Sequence, residues 1–381
     1  MVKALIQATL LTPEGFKDGQ SVLIDDGIII GICEDADRPK DIPIECDLNG
    51  LRLLPGFIDL QVNGGGGVLF NDNPSVATIK QIGAAHRKFG TTGFLPTLIS
   101  DDLEVMAAAI KAVDDAIAQG VPGVLGIHLE GPFLNQDKRG VHDASKFGRI
   151  GEAEIDLLSS LTHGKTLVTL APEMTTPEII AALSQRGVII AAGHTQASYE
   201  QTLSAMEAGL TGFTHLFNAM KPLESRNPGI IAAALEDDRA WCGIIADGHH
   251  VHPAMLRLAL RAKTREQIFL VTDAMPSVGA ADKAFSLGEM DITVANGKCV
   301  TDDGTLAGSD LDMISAVRNA HELLDVSLEQ AVRMASHIPA QFLGLDGKLG
   351  SIRNGQQADF IILDENFEIS ASWIKGRPNS A

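Results

Sequence analysis

Aromatic residues and positive charge are both scarce in this 381-residue chain. One Tyr and two Trp leave few flat platforms on which single-stranded bases could stack. Lys and Arg number 30 against 49 Asp and Glu, and the net charge of −19 repels a phosphate backbone. A nucleic-acid partner is therefore not expected. Cysteine is scarce too. Cys33, Cys46, Cys242 and Cys299 are scattered without a C-x-x-C pair, which argues against a disulfide scaffold and fits a reducing compartment. No run of 18 apolar residues occurs, so no membrane span is expected. The opening segment MVKALIQATLLTPEGF lacks the long apolar stretch and the small-residue cleavage site of a secretory leader. Together these absences predict a cytoplasmic protein.

What is present is a core and a rhythm. Hydrophobic residues make up 45% of the chain. The first fifty residues read as short strands (VKALIQATLLT, SVLIDDG, IIIGICED) separated by Gly and Asp turns. From Leu53 onward, apolar strands alternate with helical stretches such as TPEIIAALSQRG, SYEQTLSAMEAG and HPAMLRLALRAKT. Eight strand ends can be read: GFIDLQVNG, TGFLPTLIS, GVLGIHLEGP, TLVTLAPE, GVIIAAGHT, TGFTHLFNAM, WCGIIADGHH and IFLVTDAM. Such alternation demands a parallel sheet, and eight units predict a closed (β/α)8 barrel rather than an open doubly wound sheet. KAFSLGEMDITVANGKCV predicts a β-hairpin inserted near residues 284–301. Two helices follow, and GKLGSIRNGQQADFIILDENFEI returns to strands. The expected organisation is a barrel over 53–347 and a small β-sandwich domain built from both ends of the chain, residues 1–52 and 348–381.

In barrels of this kind, chemistry sits at the C-terminal ends of the strands. In order, those ends carry Gln61 and Asn63, then Glu130, Glu173, His194, His215, His249 with His250, and Asp273. A catalytic zinc site needs about three N/O ligands and one open position. Glu130, His194 and His215 supply that number from three strands. Glu173 is an alternative acidic ligand, ranked lower because Gly131-Pro132 after Glu130 is a turn that presents a side chain at a mouth. His128, two residues before Glu130, points to the same side of its strand and is expected one layer deeper, inside the barrel. Asp273 follows an apolar strand and suits a general base beside a metal, although a helix N-cap is a common fate for such an Asp.

The motifs PGFIDLQVNGGGG, HLEGPFLN, GVHD, LAPEM, GHTQAS, THLFNAMKPLESRNPG, IADGHHVHP, LVTDAM and GTLAGSDLDM together resemble the amidohydrolase superfamily. More closely, they resemble the N-acetylglucosamine-6-phosphate deacetylase family within it. The similarity runs over nearly the whole chain, and HLEGPF with THLFNAM is specific to the deacetylases. One branch of the family has His-x-His on the first strand and can hold two ions. The other has Gln-x-Asn and one. Gln61 and Asn63 match the second, and an amide is a poor ligand beside imidazole. The resemblance thus implies one divalent ion per subunit, zinc with iron or another metal left open, held by Glu130, His194 and His215.

The resemblance also implies roles for other residues. His142 would bond the acetyl carbonyl, with Val141 beside it. Gln61 would contribute a hydrogen bond. Asn218, Ala219, Arg226 and His250 would surround the sugar phosphate, and Leu306, Ala307 and Gly308 the acetyl end. Ser225 departs from the His that relatives often carry there. The implied reaction is hydrolysis of the acetamide of N-acetylglucosamine 6-phosphate in amino-sugar catabolism or recycling. N-acetylgalactosamine 6-phosphate is the alternative substrate, since the two differ only at C4. An inactive sugar-phosphate-binding regulator is a rival from another class. A homodimer is implied, in which a neighbouring subunit can supply part of the phosphate site.

Overall fold

The structure, a computed structural model, describes residues 1–12, 14–263 and 266–378. Thr264, at the end of one expected helical stretch, and the last three residues of the expected terminal domain lie outside these. Five strands open the chain: β1 (Lys3–Thr12), β2 (Gly15–Asp25), β3 (Ile28–Glu34), β4 (Ile44–Asp47) and β5 (Arg52–Pro55). The barrel follows. Its strands are β6 (Phe57–Val62), β7 (Thr91–Ile99), β8 (Gly126–Glu130), β9 (Lys165–Leu170), β10 (Ile189–Ala192), β11 (Gly212–Phe213), β12 (Trp241–Ile244) and β13 (Ile268–Leu270). After each comes one helix: α1 (Val76–Arg87), α2 (Leu103–Ala118), α3 (Glu152–Leu158), α4 (Pro177–Gln185), α5 (Tyr199–Glu207), α6 (Gly229–Glu236), α7 (Pro253–Ala262) and α8 (Met313–Leu323).

The eight strands pair in parallel, each with its neighbour in sequence. The ring closes just past β13, where Asp273 N donates to Gln61 O at 3.0 Å and Asn63 N to Ala274 O at 2.9 Å. This is the expected (β/α)8 barrel. Local chemistry starts its helices. Ser75, Thr176 and Ser198 cap α1, α4 and α5 with side-chain oxygens, and Pro177 and Pro253 stand in the first turns of α4 and α7. Further helices α9 (Leu328–Ala335) and α10 (His337–Phe342) pack against β6 and β13, and Phe342 stacks on Phe269.

Between β13 and α8 lie β14 (Phe285–Leu287), β15 (Met290–Ala295), β16 (Lys298–Val300) and β17 (Leu306–Ser309). They form a four-stranded antiparallel sheet where a hairpin was expected. Its own small core holds Leu287, Ile292, Cys299 and Ala307 with Met275. The last strand escaped notice because LAGS has no alternating pattern. It is fixed by tertiary contacts: Ser309 N donates to Asp273 O at 2.9 Å and Met275 N to Ser309 O at 3.0 Å. Gly308 there has φ +59, and a Cβ would meet Met275 Sδ at 2.8 Å.

The chain ends in β18 (Phe360–Leu363), β19 (Ile369–Ile374) and β20 (Arg377–Pro378). These join the opening strands in one sheet of order β20-β19-β18-β5-β1-β2-β3, with β4 also beside β1. The sheet folds over a single core of Leu5, Leu10, Val22, Ile24, Phe360, Ile362 and Trp373, which makes the expected small β-sandwich from both termini. It runs three residues past the expected boundary at 52, because Leu53–Pro55 pair with Ile362–Phe360. Gly56 alone separates β5 from the first barrel strand, β6.

Candidate active site

Glu130 is the last residue of β8, and His194 and His215 lie two residues past β10 and β11. All three are buried. Glu130 Oε1 is 3.1 Å from His194 Nε2 and 3.0 Å from His215 Nε2, and the two nitrogens are 3.0 Å apart. His194 Nδ1 sits 2.8 Å from Lys138 O. A carbonyl only accepts, so Nδ1 carries the proton and Nε2 aims its lone pair at the cluster. Two imidazole nitrogens this close, both against one carboxylate oxygen, require a positive centre among them. Burial opposes ionisation of Glu130, but the close approach of His194 and His215 outweighs it and holds the carboxyl well below the ordinary range. Two nitrogens and an oxygen converging from three strands fit a divalent metal ion.

Asp273 lies three residues past β13. Its Oδ1 accepts from Asn63 Nδ2 at 2.7 Å and from Gln61 Nε2 at 3.1 Å, and Gln61 Nε2 also reaches Glu130 Oε2 at 3.0 Å. The carboxylates can only accept, which turns both amide nitrogens toward them. The first strand therefore supplies N–H donors to the site rather than lone pairs. Burial, then the charge of Glu130, push the Asp273 carboxyl up to about 6. A divalent cation nearby acts in the opposite direction. His194, His215 and Asp273 all have left-handed backbone, with φ of 49°, 32° and 53°. Strain of this kind gathers at functional sites.

His142 lies on the long connection between β8 and α3. Its Nδ1 is 3.3 Å from Ser100 N and 2.7 Å from Ser100 Oγ. A backbone N–H only donates, so Nδ1 accepts and the proton sits on Nε2. Burial, then neighbouring His194, lower its pKa to about 3. His142 is thus a neutral hydrogen-bond donor, its ring edge-on to His194 with centroids 4.4 Å apart.

These groups share a cavity of about 470 Å³ with Asn63, Val141, Asn218, Ala219, His250, Leu306 and Gly308. Gln61 is buried and reaches the site through its hydrogen bonds. Two expected residues are elsewhere. Ala307 faces the core of the inserted sheet, because alternation along β17 sends Leu306 and Gly308 to the mouth. Arg226 is exposed on the β11–α6 connection and does not line the cavity. His128 is where it was expected, below the cluster, with Nε2 2.8 Å from Thr169 Oγ1.

Glu173 is a latch rather than a ligand. Its carboxylate accepts from Asn135 Nδ2 at 2.8 Å, Thr195 Oγ1 at 2.5 Å and Gln196 N at 2.6 Å. It thereby ties the loop after β8 to the residues that follow His194. Sequence reasoning missed other supports. Asp247 Oδ2 holds His250 Nδ1 at 2.6 Å, and the i, i+3 spacing was the available signal. Asp59 accepts from Gln61 N and Thr272 N, each at 3.2 Å, and from Thr272 Oγ1 at 2.5 Å. Lys138 also lines the cavity. Ser100 and Lys138 carried no signal, since only the fold brings them to His142 and His194.

Residues 52–378 match the Amidohydrolase family. The chain belongs to that family. It is 45% identical to N-acetylgalactosamine-6-phosphate deacetylase of Shewanella sp. (strain ANA-3) over 97% of this chain and 94% of the relative. It is 33% identical to N-acetylglucosamine-6-phosphate deacetylase of Haemophilus influenzae over 99% of both. Among solved structures, N-acetylglucosamine-6-phosphate deacetylase from Pasteurella multocida superposes with a TM-score of 0.96 at 34% identity, covering 100% of both chains. In this amidohydrolase, then, the Glu/His/His cluster and Asp273 stand at the C-terminal ends of the barrel strands, the face where such barrels carry their chemistry.

Proposed function

We propose that this amidohydrolase removes the acetyl group of N-acetylglucosamine 6-phosphate, giving glucosamine 6-phosphate and acetate. The observation that carries the reading is the meeting of the three-ligand cluster, Asp273 and a neutral, oriented His142 in one cavity. A divalent ion held by Glu130, His194 and His215, zinc in our reading, would polarise the amide carbonyl and acidify water beside it. Asp273 takes a proton from the attacking water and hands it to the departing amine. His142 Nε2–H donates to the carbonyl oxygen as negative charge develops there. Gln61 and Asn63 hold Asp273 in place. His250, turned by Asp247, faces the sugar with Asn218 and Ala219, while Val141, Leu306 and Gly308 border the acetyl end.

Arg226 is our candidate for the phosphate, acting in a homodimer where its exposed loop meets a second chain. Leu223 on the same loop is 51% exposed, which supports a covered surface. We assign the residues through 55 and from 348 onward to a supporting β unit and those between to the catalytic barrel, in a cytoplasmic enzyme. The 45% identity to an N-acetylgalactosamine-6-phosphate deacetylase favours a second reading, in which N-acetylgalactosamine 6-phosphate is the better substrate. The test is acetate release from both epimers, with and without a chelator. The proposal requires chelator-sensitive release from the gluco epimer. Release from the galacto epimer alone would establish the second reading, and release from neither would refute both.

A further inference from the structure

A second cavity, of about 530 Å³, is larger than the catalytic one and lies in the seam between the terminal sheet and the barrel. On the barrel side it is walled by Arg87, at the end of α1, and Pro122, between α2 and β8. Both belong to connections that run from a helix into the next strand. They therefore sit at the N-terminal ends of the barrel strands, the face opposite Glu130, His194 and His215. On the sheet side the walls are Lys3 of β1, Asp26 in the β2–β3 turn, and Lys375 and Arg377 on the closing hairpin.

The charge of this cavity runs against that of the chain. Four cationic side chains face one carboxylate in a protein of net charge −19. Lys3 is partly engaged, with Glu45 at 3.2 Å and the Trp373 ring beneath it. Lys375 and Arg377 are exposed and form no ion pair among the described residues. Arg87 is the most telling. Its carbonyl is fixed across the seam by Ser372 Oγ at 3.1 Å. Its guanidinium has one long contact, Nη2 to Pro122 O at 3.5 Å, and its Nε is buried without a partner. With so weak a partner, the guanidinium keeps Nη donors for an oxyanion that enters the cavity.

We propose that the seam cavity is a second binding site, for a phosphate-bearing small molecule, separate from the catalytic cavity. Cations on both walls suit a dianionic group, and the guanidinium of Arg87 can grip two of its oxygens in a fork. The volume lies in the range of small-molecule sites, about 300–1,000 Å³. Because its walls come from both the sheet and the barrel, a ligand there clamps one to the other.

The test is calorimetric titration of the metal-loaded protein with glucose 6-phosphate, which has no acetamide to cleave. Wild type is expected to show two sites. The double variant Lys375→Asn/Arg377→Gln changes only exposed hairpin residues, so it should fold and keep kcat and KM. It should lose one site, its affinity falling by about tenfold for each charged contact removed. Arg87→Gln should weaken the same site. His250→Ala should weaken the other and leave this one, which tells the two apart. A single site on wild type that the double variant retains, or two unaltered sites on the double variant, would overturn the proposal.

Discussion

On one side of the barrel mouth, Glu130 Oε1 and the Nε2 atoms of His194 and His215 converge on a common point. On the other, Gln61 and Asn63 aim amide N–H groups at Asp273 and Glu130. The two sides are equally buried and close together, yet they solve the same electrostatic problem differently. Carboxylates packed this tightly need positive charge or donors between them. The first side can be satisfied by a cation. The second is already satisfied by neutral donors, and its only lone pairs come from amide oxygens, Gln61 Oε1 and Asn63 Oδ1, which point away from the carboxylates and have no partner among the described residues. In the function we propose, that difference sets the count at one ion and leaves Asp273 to move a proton instead of ligating.

Breaking the lone-pair side should have the largest effect. His194→Ala or His215→Ala removes one of three ligands, and we expect loss of bound metal together with roughly a 10³-fold or greater fall in kcat, read by metal analysis and acetate release. Breaking the donor side should spare the metal. In Asp273→Asn an amide replaces the carboxylate and cannot shuttle a proton, so kcat should drop by about 10²-fold or more with metal content unchanged. A variant at near wild-type rate would make Asp273 a structural cap.

The latch should have a graded effect. In Glu173→Gln one of the three donors now held by the carboxylate loses its acceptor, which loosens the segment that carries His194. Metal affinity, measured by competition with a chelator, is expected to weaken by about tenfold, while kcat at saturating metal changes less. The smallest effect concerns pH. Burial raises the Asp59 carboxyl to about 7, and Asp273 stands at about 6. Both groups bind protons more tightly folded than unfolded. Between their ordinary range near 3.8 and these values, the folded chain holds the extra protons and loses stability as pH rises. The metal-free protein should therefore melt at a lower temperature at about pH 8 than at about pH 5, and Asp59→Asn should flatten that slope.

Much of this was legible in the sequence because the barrel repeats one physical pattern. An apolar strand, a polar end and an amphipathic helix recur, so the strand ends that carry Glu130, His194, His215 and Asp273 could be read off in order. Gln61 and Asn63 were legible by what they are not. The parts that stayed hidden depend on contacts between distant segments. LAGS at 306–309 is a strand because Lys298 and Val300 pair with it on one side and Asp273 and Met275 on the other. Glu173 stands at a strand end as a ligand would, and only the approach of Asn135 and Thr195 makes it a latch. Arg226 looks like a phosphate grip in sequence, but the cavity of the single chain is lined without it. The seam cations lie in segments as far apart as Lys3 and Arg377, and no local motif announces them.

The asymmetry of the mouth is tested most directly by counting metal in protein purified without added ions while activity is followed through stepwise chelation. The donor sets described here predict about one equivalent per chain, with acetate release falling in proportion as that one ion is withdrawn. Two equivalents per chain, both lost in parallel with activity, would contradict it, because the amides of Gln61 and Asn63 would then be ligating a second ion.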